Sequence, residues 1–310
     1  MVREVLGFLP LHGGGIIVDG TLGTGGHSLA ILQHSPAPAR LIGFDRDPES
    51  LEFARQRLQP FSDRITLAQG EFGEITAVLA GLGVSTVDFI LLDLGFSSFQ
   101  LASPGRGFSF QRLDPLDLRM NRREGAPLKD WLARAGETEI AGVLREYGEE
   151  RWAGRISRAL IQARTEGRLN DTQDLVQAVY RAVPPRFLEK RLHPATRTFQ
   201  ALRILINDEL RQLERFLEQF LELLTIGGRV CLIAYHSLED RLIKRAFRNL
   251  EQGRAPFDDS LPGPLAVEPA GPKVFRRLVK KPVLPGAEEV LLNPRARAAK
   301  LRVGQRLGTG

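Results

Sequence analysis

Cysteine is almost absent: Cys231 is the only one in 310 residues. That excludes an intrachain disulfide and a cysteine-built zinc site, and it fits a reducing, cytoplasmic setting. Cys231 lies in the apolar run Val230 to Ala234 and reads as a small core residue. Long apolar runs are missing as well. None reaches the length that crosses a bilayer, so no membrane partner is expected. The start, Met1-Val2-Arg3-Glu4-Val5, carries an early acid and no secretory pattern. Histidine is sparse, with five in the chain. His27 has no metal-ligand spacing around it, and no metal is expected. Acids are scarce in one place. From Lys273 to the end there are two, against ten Lys and Arg, while the whole chain has 37 acids and 43 bases. The basic excess therefore belongs to the C-terminal segment. Such a patch is the electrostatic footprint of a phosphate-backbone partner; the alternative is a solvated tail that aids solubility.

What the chain does have is a glycine-rich turn between two apolar runs. Ile16, Ile17 and Val18 read as a strand, followed by Asp19-Gly20-Thr21-Leu22-Gly23-Thr24-Gly25-Gly26-His27. Glycines allow a tight turn and a close approach of backbone to ligand. A second apolar run, Leu41 to Phe44, ends in Asp45, about 20 residues after the glycines. A carboxylate there can accept from both hydroxyls of a ribose. The unit reads as a site for an adenosine-containing cofactor.

Four strand-like runs fill the N-terminal third: Ile16–Asp19, Leu41–Asp45, Ile65–Ala68 and Val87–Asp93. Helix-compatible stretches separate them, at Ser28–His34, Pro48–Leu58 and Gly73–Gly83. This alternation predicts an α/β fold with a parallel sheet and right-handed crossovers. The alternation stops after Pro104. Residues 127–183 read as helices, with a start signal at Asn170-Asp171-Thr172, and form a helical insertion. A long amphipathic helix is expected from Thr198 to Leu224, closed by Gly227-Gly228, then a fifth strand from Arg229 to Tyr235. Residues 252–272 hold eight Gly or Pro and read as a mobile loop. No internal repeat is present. The expected domains are 1–104 with 198–310, and an inserted 105–197.

Ligands of open α/β sheets bind at the carboxyl ends of strands. Asp93 ends the fourth strand, ahead of Leu94-Gly95-Phe96. Methyl transfer to an exocyclic base nitrogen needs an acceptor for the N–H and an aromatic face to hold the ring. Asp93 is the candidate acceptor and Phe96 the candidate platform; the alternatives are a turn cap and a core ring. Phe72, after the third strand, is a candidate adenine contact or else core. In His236-Ser237-Leu238-Glu239-Asp240-Arg241, Ser237 and Asp240 fit a capping box, which leaves His236 and Glu239 as candidates to face substrate. Arg197, in His193-Pro194-Ala195-Thr196-Arg197, is a candidate phosphate or carboxylate clamp.

These motifs, taken in order, resemble the RsmH (MraW) family of bacterial S-adenosylmethionine-dependent methyltransferases of small-subunit ribosomal RNA. Besides the segments quoted, the resemblance rests on Arg106-Gly107-Phe108-Ser109-Phe110, Pro115-Leu116-Asp117-Leu118-Arg119-Met120 and Tyr147-Gly148-Glu149-Glu150. It rests also on Thr198-Phe199-Gln200-Ala201-Leu202-Arg203-Ile204 and Asn293-Pro294-Arg295-Ala296-Arg297-Ala298-Ala299-Lys300-Leu301-Arg302. The resemblance implies a class I, Rossmann-like methyltransferase sheet with an inserted helical domain for substrate recognition. It implies S-adenosyl-L-methionine as cofactor and methylation of N4 of a decoding-centre cytosine in 16S rRNA. By motif position the cofactor residues are Gly25, Gly26, His27, Asp45, Phe72, Asp93 and Gln100. Asp93, Phe96 and His236 are the catalytic candidates. Arg197, Arg295, Arg297 and Lys300 are the rRNA contacts. The partner is the small ribosomal subunit, and a homodimer stays open.

Two departures stand out. Members usually begin with a His-x-Pro-Val-Leu segment, which is not found before Met1-Val2-Arg3-Glu4-Val5 here. Amino-methylating relatives of the fold usually carry Asp/Asn-Pro-Pro-aromatic where this chain has Asp93-Leu94-Gly95-Phe96. Two rival readings are a dinucleotide-dependent oxidoreductase and an RNA-binding ribosome-assembly factor without turnover. The first shares the βαβ unit, but Ser28 stands where the third glycine of its loop belongs.

Overall fold

The computed structural model describes residues 1–10, 14–35, 39–187, 193–258 and 272–308. The stretch 259–271 of the expected Gly/Pro-rich loop lies outside the described residues. In chain order the elements are α1 (Val2–Gly7), β1 (Ile16–Asp19), α2 (Gly26–His34), β2 (Arg40–Asp45), α3 (Pro48–Arg57), β3 (Ile65–Gln69), α4 (Ile75–Gly81) and β4 (Val87–Asp93). Then come α5 (Ser98–Ala102), α6 (Leu128–Arg134), α7 (Glu137–Gly148), α8 (Ala153–Thr165), α9 (Thr172–Ala182) and α10 (Thr196–Asn207). The chain continues through α11 (Glu209–Leu223), β5 (Leu224–Ala234), α12 (Ser237–Glu251), β6 (Phe275–Arg277), α13 (Ala287–Leu292) and β7 (Lys300–Arg306). It divides into two compact units, one of residues 1–95 with 210–310 and one of residues 96–209. Among the described residues no helix is long and apolar enough to cross a membrane.

The first unit is the expected α/β sheet. Its strand order is β3-β2-β1-β4-β5-β7-β6. The first five are parallel; β7 runs antiparallel to both β5 and β6. Strand residues alternate in facing, so neighbouring rows of the register feed opposite cores. Ile42, Val18, Ile90 and Val230 form one row and lie in the core shared with α4, α11 and α12. Leu41, Ile17 and Phe89 form the next row and lie in the core shared with α1, α2 and α3. The first core is built on aromatics: Phe220 stacks on Phe216 at 5.5 Å and meets Phe247 and Phe275 at 5.9 Å each. Cys231 is fully buried in the second core, as its apolar run suggested.

The second unit is helical, with one core of its own. Helix α7 packs on α10, and Gly148 makes the approach close, since a Cβ there would stand 2.8 Å from the Arg197 carbonyl oxygen. Asp171 caps α9, accepting from the backbone N–H groups of Gln173 and Asp174 at 2.9 Å each. The charged loop before α6 is pinned from inside. Arg106 is 1% exposed and donates through Nη2 to the Met120 carbonyl at 2.7 Å. The Asn207 side chain donates to the Leu118 carbonyl and accepts from the Met120 N–H.

The structure departs from the sequence reading in three places. The single long helix expected from Thr198 to Leu224 is two helices, because Asp208 sits in the left-handed region at φ 51°. The boundary between units falls there, so α10 belongs to the helical unit rather than to the sheet. Helix α11 also ends at Leu223, before Gly227-Gly228. Leu224 already pairs with Val87, and the glycines accompany the register shift that precedes the Phe89–Arg229 pair. Finally, the basic C-terminal segment supplies two further strands, β6 and β7.

Two outcomes test this packing by guanidinium denaturation. Asp171→Ala is expected to cost about 1 kcal/mol through the lost cap. Phe220→Ala, which empties the centre of the aromatic cluster, is expected to cost about 3–5 kcal/mol.

Candidate functional site

In the first unit the carboxyl ends of β2, β1 and β4 lie side by side, and each closes in an aspartate: Asp45, Asp19 and Asp93. The glycine turn is built around them. Asp19 is 1% exposed and accepts from the Ser28 hydroxyl at 2.7 Å and from the Thr21 N–H. Burial pushes its carboxyl above the usual range, against these hydrogen bonds. Ser28 is thus committed to the strand end, in the place where a dinucleotide loop would carry its third glycine. Gly25 is the left-handed N-cap of α2, at φ 75°, and a Cβ there would press on Leu58. Gly26 opens the helix behind it.

Asp45 accepts from the backbone N–H of Gly23 at 2.8 Å and of Asp47 at 2.9 Å, one on each oxygen. Burial lifts its carboxyl to about 6 even with both donors in place. Asp47 in turn caps α3 through the Glu49 N–H. Phe72 opens a short 3-10 turn after β3; its ring meets Phe216 edge-on at 6.4 Å and packs half-buried against the first core.

Asp93 is held from three sides. Its backbone N–H donates to the Thr21 hydroxyl at 2.6 Å, its Oδ1 accepts from the Tyr235 hydroxyl at 2.9 Å, and its Oδ2 lies 3.4 Å from His27 Nδ1. His27 Nε2 is buried without a partner among the described residues. Burial, then the charge of Asp93, pushes the Tyr235 phenol well above its ordinary range, so the hydroxyl stays a donor. Tyr235 escaped the sequence reading. It lies two residues beyond Ile233, the register partner of Asp93, and strand pairing is what reveals it.

His236 does local work. It is the N-cap of α12, its Nδ1 accepting from the Glu239 N–H, while Glu239 accepts from the Tyr235 and His236 N–H groups. The capping box is therefore His236 with Glu239. The sequence reading placed it at Ser237 with Asp240, but Asp240 pairs instead with Arg302 at 2.7 Å and Lys300 at 3.2 Å. Those two cations hold the Asp240 carboxyl below its ordinary range, against the opposing effect of burial. Lys300 begins β7 opposite Ala234, at the same sheet edge as Tyr235. Arg295 and Arg297 are exposed on the short helical turn Pro294–Ala298.

The other sequence candidates belong to the helical unit. Gln100 is buried and completes a capping box with Ser97 at the start of α5. Phe96 stacks on Phe108 at 5.6 Å, and the Arg203 guanidinium lies 4.9 Å from its ring centre. Arg203 is held by Glu209 through two bonds of 2.7 and 2.8 Å. Arg197 is half-buried in the first turn of α10. The structure thus gathers Gly25, Gly26, His27, Asp45 and Asp93 around one loop of the sheet unit, with Phe72 on the neighbouring strand end.

The same chain matches known proteins along its length. It is 48% identical over 307 residues to ribosomal RNA small subunit methyltransferase H of Geobacter sulfurreducens, covering 99% of this chain and 97% of that relative. It is 45% identical over 304 residues to the protein of that name in Geobacter sp. strain M21, covering 98% and 96%. A third of that name, from Nitrosococcus oceani, is 44% identical over 311 residues, covering 99% and 95%. Residues 1–307 match the family model described as the MraW methylase family. With that match, and with the glycine turn and three strand-end carboxylates in place, the chain belongs to the MraW methylase family.

Proposed function

We propose that this chain transfers a methyl group from S-adenosyl-L-methionine to N4 of a decoding-centre cytosine in the 16S rRNA of the small ribosomal subunit. The curated relatives, named as small-subunit rRNA methyltransferases, support the substrate class. One observation carries the chemistry: the Asp93 carboxylate at the end of β4 is fixed by Tyr235 and faced by His27. The cytoplasm, where small subunits assemble, is the place of action.

The residues present fit the cofactor. Gly26 is exposed at the start of α2, Asp45 keeps a free lone pair on each oxygen for a ribose diol, and among the described residues His27 has a buried nitrogen without a partner. Phe72, half-buried beyond the end of β3, completes the binding set within the sheet unit. When bound, S-adenosyl-L-methionine supplies an electrophilic sulfonium methyl. An amino group conjugated to cytosine is a poor nucleophile. Asp93, accepting from its N–H, favours a pyramidal nitrogen and absorbs the positive charge that develops there. Tyr235 aims that carboxylate and stays neutral while doing so. His236 serves through its capping box, which holds the Tyr235 backbone. Arg197 of the helical unit and Arg295 and Arg297 of the C-terminal segment bind rRNA phosphates, while Lys300 is held by Asp240.

Asp93→Ala is expected to abolish methyl transfer to purified small subunits in a radiolabelled-cofactor assay; wild-type turnover would remove Asp93 from the chemistry. Mass spectrometry of 16S rRNA from a deletion strain, with and without this chain, tests the N4 position. S-adenosylhomocysteine binding without any methyl transfer would leave an RNA-binding assembly factor, and thermal stabilisation by NAD in its place would favour an oxidoreductase.

The carboxyl of Asp45 also sets a pH dependence. Ribose hydroxyls donate to its ionised form, so binding draws a proton off a group poised at about 6. Affinity for S-adenosylhomocysteine is expected to be full above that pH and to weaken by up to about tenfold per unit below it. Calorimetric titration reads the profile, and Asp45→Asn is expected to flatten it.

A further inference from the structure

We propose that an aromatic pair clad in arginine on the helical unit, Trp152 with Phe187, grips an unpaired RNA strand. The inference deepens the rRNA reading above and rests on it. Trp152 is the N-cap of α8, and Phe187 closes a short 3-10 turn, Pro185–Phe187, after α9. Their ring centres are 5.1 Å apart with the planes tilted by 45°. Arg151 lies 5.3 Å from the Trp152 ring and 5.2 Å from Phe187. Arg155 lies 5.6 Å from Trp152, and Arg186 4.9 Å from Phe187.

All three arginines are exposed, and among the described residues none of their guanidinium groups has a carboxylate or a hydrogen-bond acceptor. The adjacent acid is no exception: Glu150 is buried and accepts from the Trp152 N–H. Three like charges gathered on two rings repel one another. An exposed cation–π contact returns little, and among the described residues no carboxylate offsets the repulsion. The arrangement suits a polyanion that also presents flat faces. A guanidinium resting on a ring keeps its N–H donors for phosphate, and half-buried aromatic rings offer stacking area to bases. Paired RNA hides its base faces, whereas an unpaired strand exposes them. No sequence code is implied, because stacking and phosphate contacts accept any base.

The test uses the full chain with Trp131→Phe, which leaves Trp152 as the only tryptophan, and oligouridylate as the probe. Binding is expected to quench Trp152 fluorescence, with an affinity that falls as salt rises. Arg151→Ala, Arg155→Ala and Arg186→Ala combined are expected to lower affinity at least about tenfold. They are also expected to remove about 2 from the slope of log affinity against log salt, at roughly 0.7 per phosphate. If that variant does not fold, the corresponding triple lysine variant replaces it; it is expected to keep the slope and lose affinity severalfold, as the planar forks are gone. Absence of quenching overturns the proposal. So does an unchanged affinity and slope in the variants, or equal binding of duplex RNA or polyglutamate. Methyl transfer by the unsubstituted chain is followed in parallel. Turnover without an RNA response at Trp152 sinks this proposal alone, and an RNA response without turnover sinks the reaction alone.

Discussion

Three carboxylates at the ends of three adjacent parallel strands are the constraint around which the sheet unit is arranged. Asp45, Asp19 and Asp93 share one edge, where burial first, and then the charge of Asp93 on Asp19 and of Asp19 on Asp45, raises the cost of ionising Asp19 and Asp45. The glycine turn meets that cost from a single stretch of chain. Thr21 supplies an N–H to Asp19 and an acceptor to the Asp93 backbone, Gly23 supplies an N–H to Asp45, and Ser28 supplies a hydroxyl to Asp19. The turn therefore has two tasks at once. It satisfies buried acids from behind and leaves open lone pairs and bare backbone in front. A loop that only turned the chain would need the glycines and neither the threonine nor the serine.

Much of this was legible because it is local. Hydrophobic period and glycine spacing located β1 to β4 and α2 to α4 to within a few residues, and the acid after the second strand marked itself by its distance from the glycines. What stayed hidden depends on partners distant in the chain. Tyr235 faces Asp93 only through the register of β4 with β5. Asp208 interrupts a continuous amphipathic pattern because Asn207 turns its side chain to Leu118 and Met120, which no helical period encodes. The capping box at α12 was misplaced by one residue, since a histidine nitrogen filled the place usually held by a hydroxyl.

Charge shows the same division. The C-terminal basic segment reads in sequence as a free patch, yet much of it is structural. Arg302 and Lys300 hold Asp240, Arg277 holds Glu251, and Arg306 donates to the Glu222 and Leu224 carbonyls. Net charge counted along a sequence therefore overstates what is available to a partner. The helical unit offers the contrast, with three arginines resting on aromatic rings where, among the described residues, no acid answers them.

The lone thiol has a use of its own. Cys231 stands mid-strand in β5, paired on one side with Leu91 and on the other with Val303, and no solvent reaches it. Burial also keeps it protonated. An alkylating reagent can meet that sulfur only after the core on that face of the sheet has opened, and no second sulfhydryl competes for it. Its labelling rate is a built-in clock for the rarest opening of this unit, readable in a cell extract without any added tag.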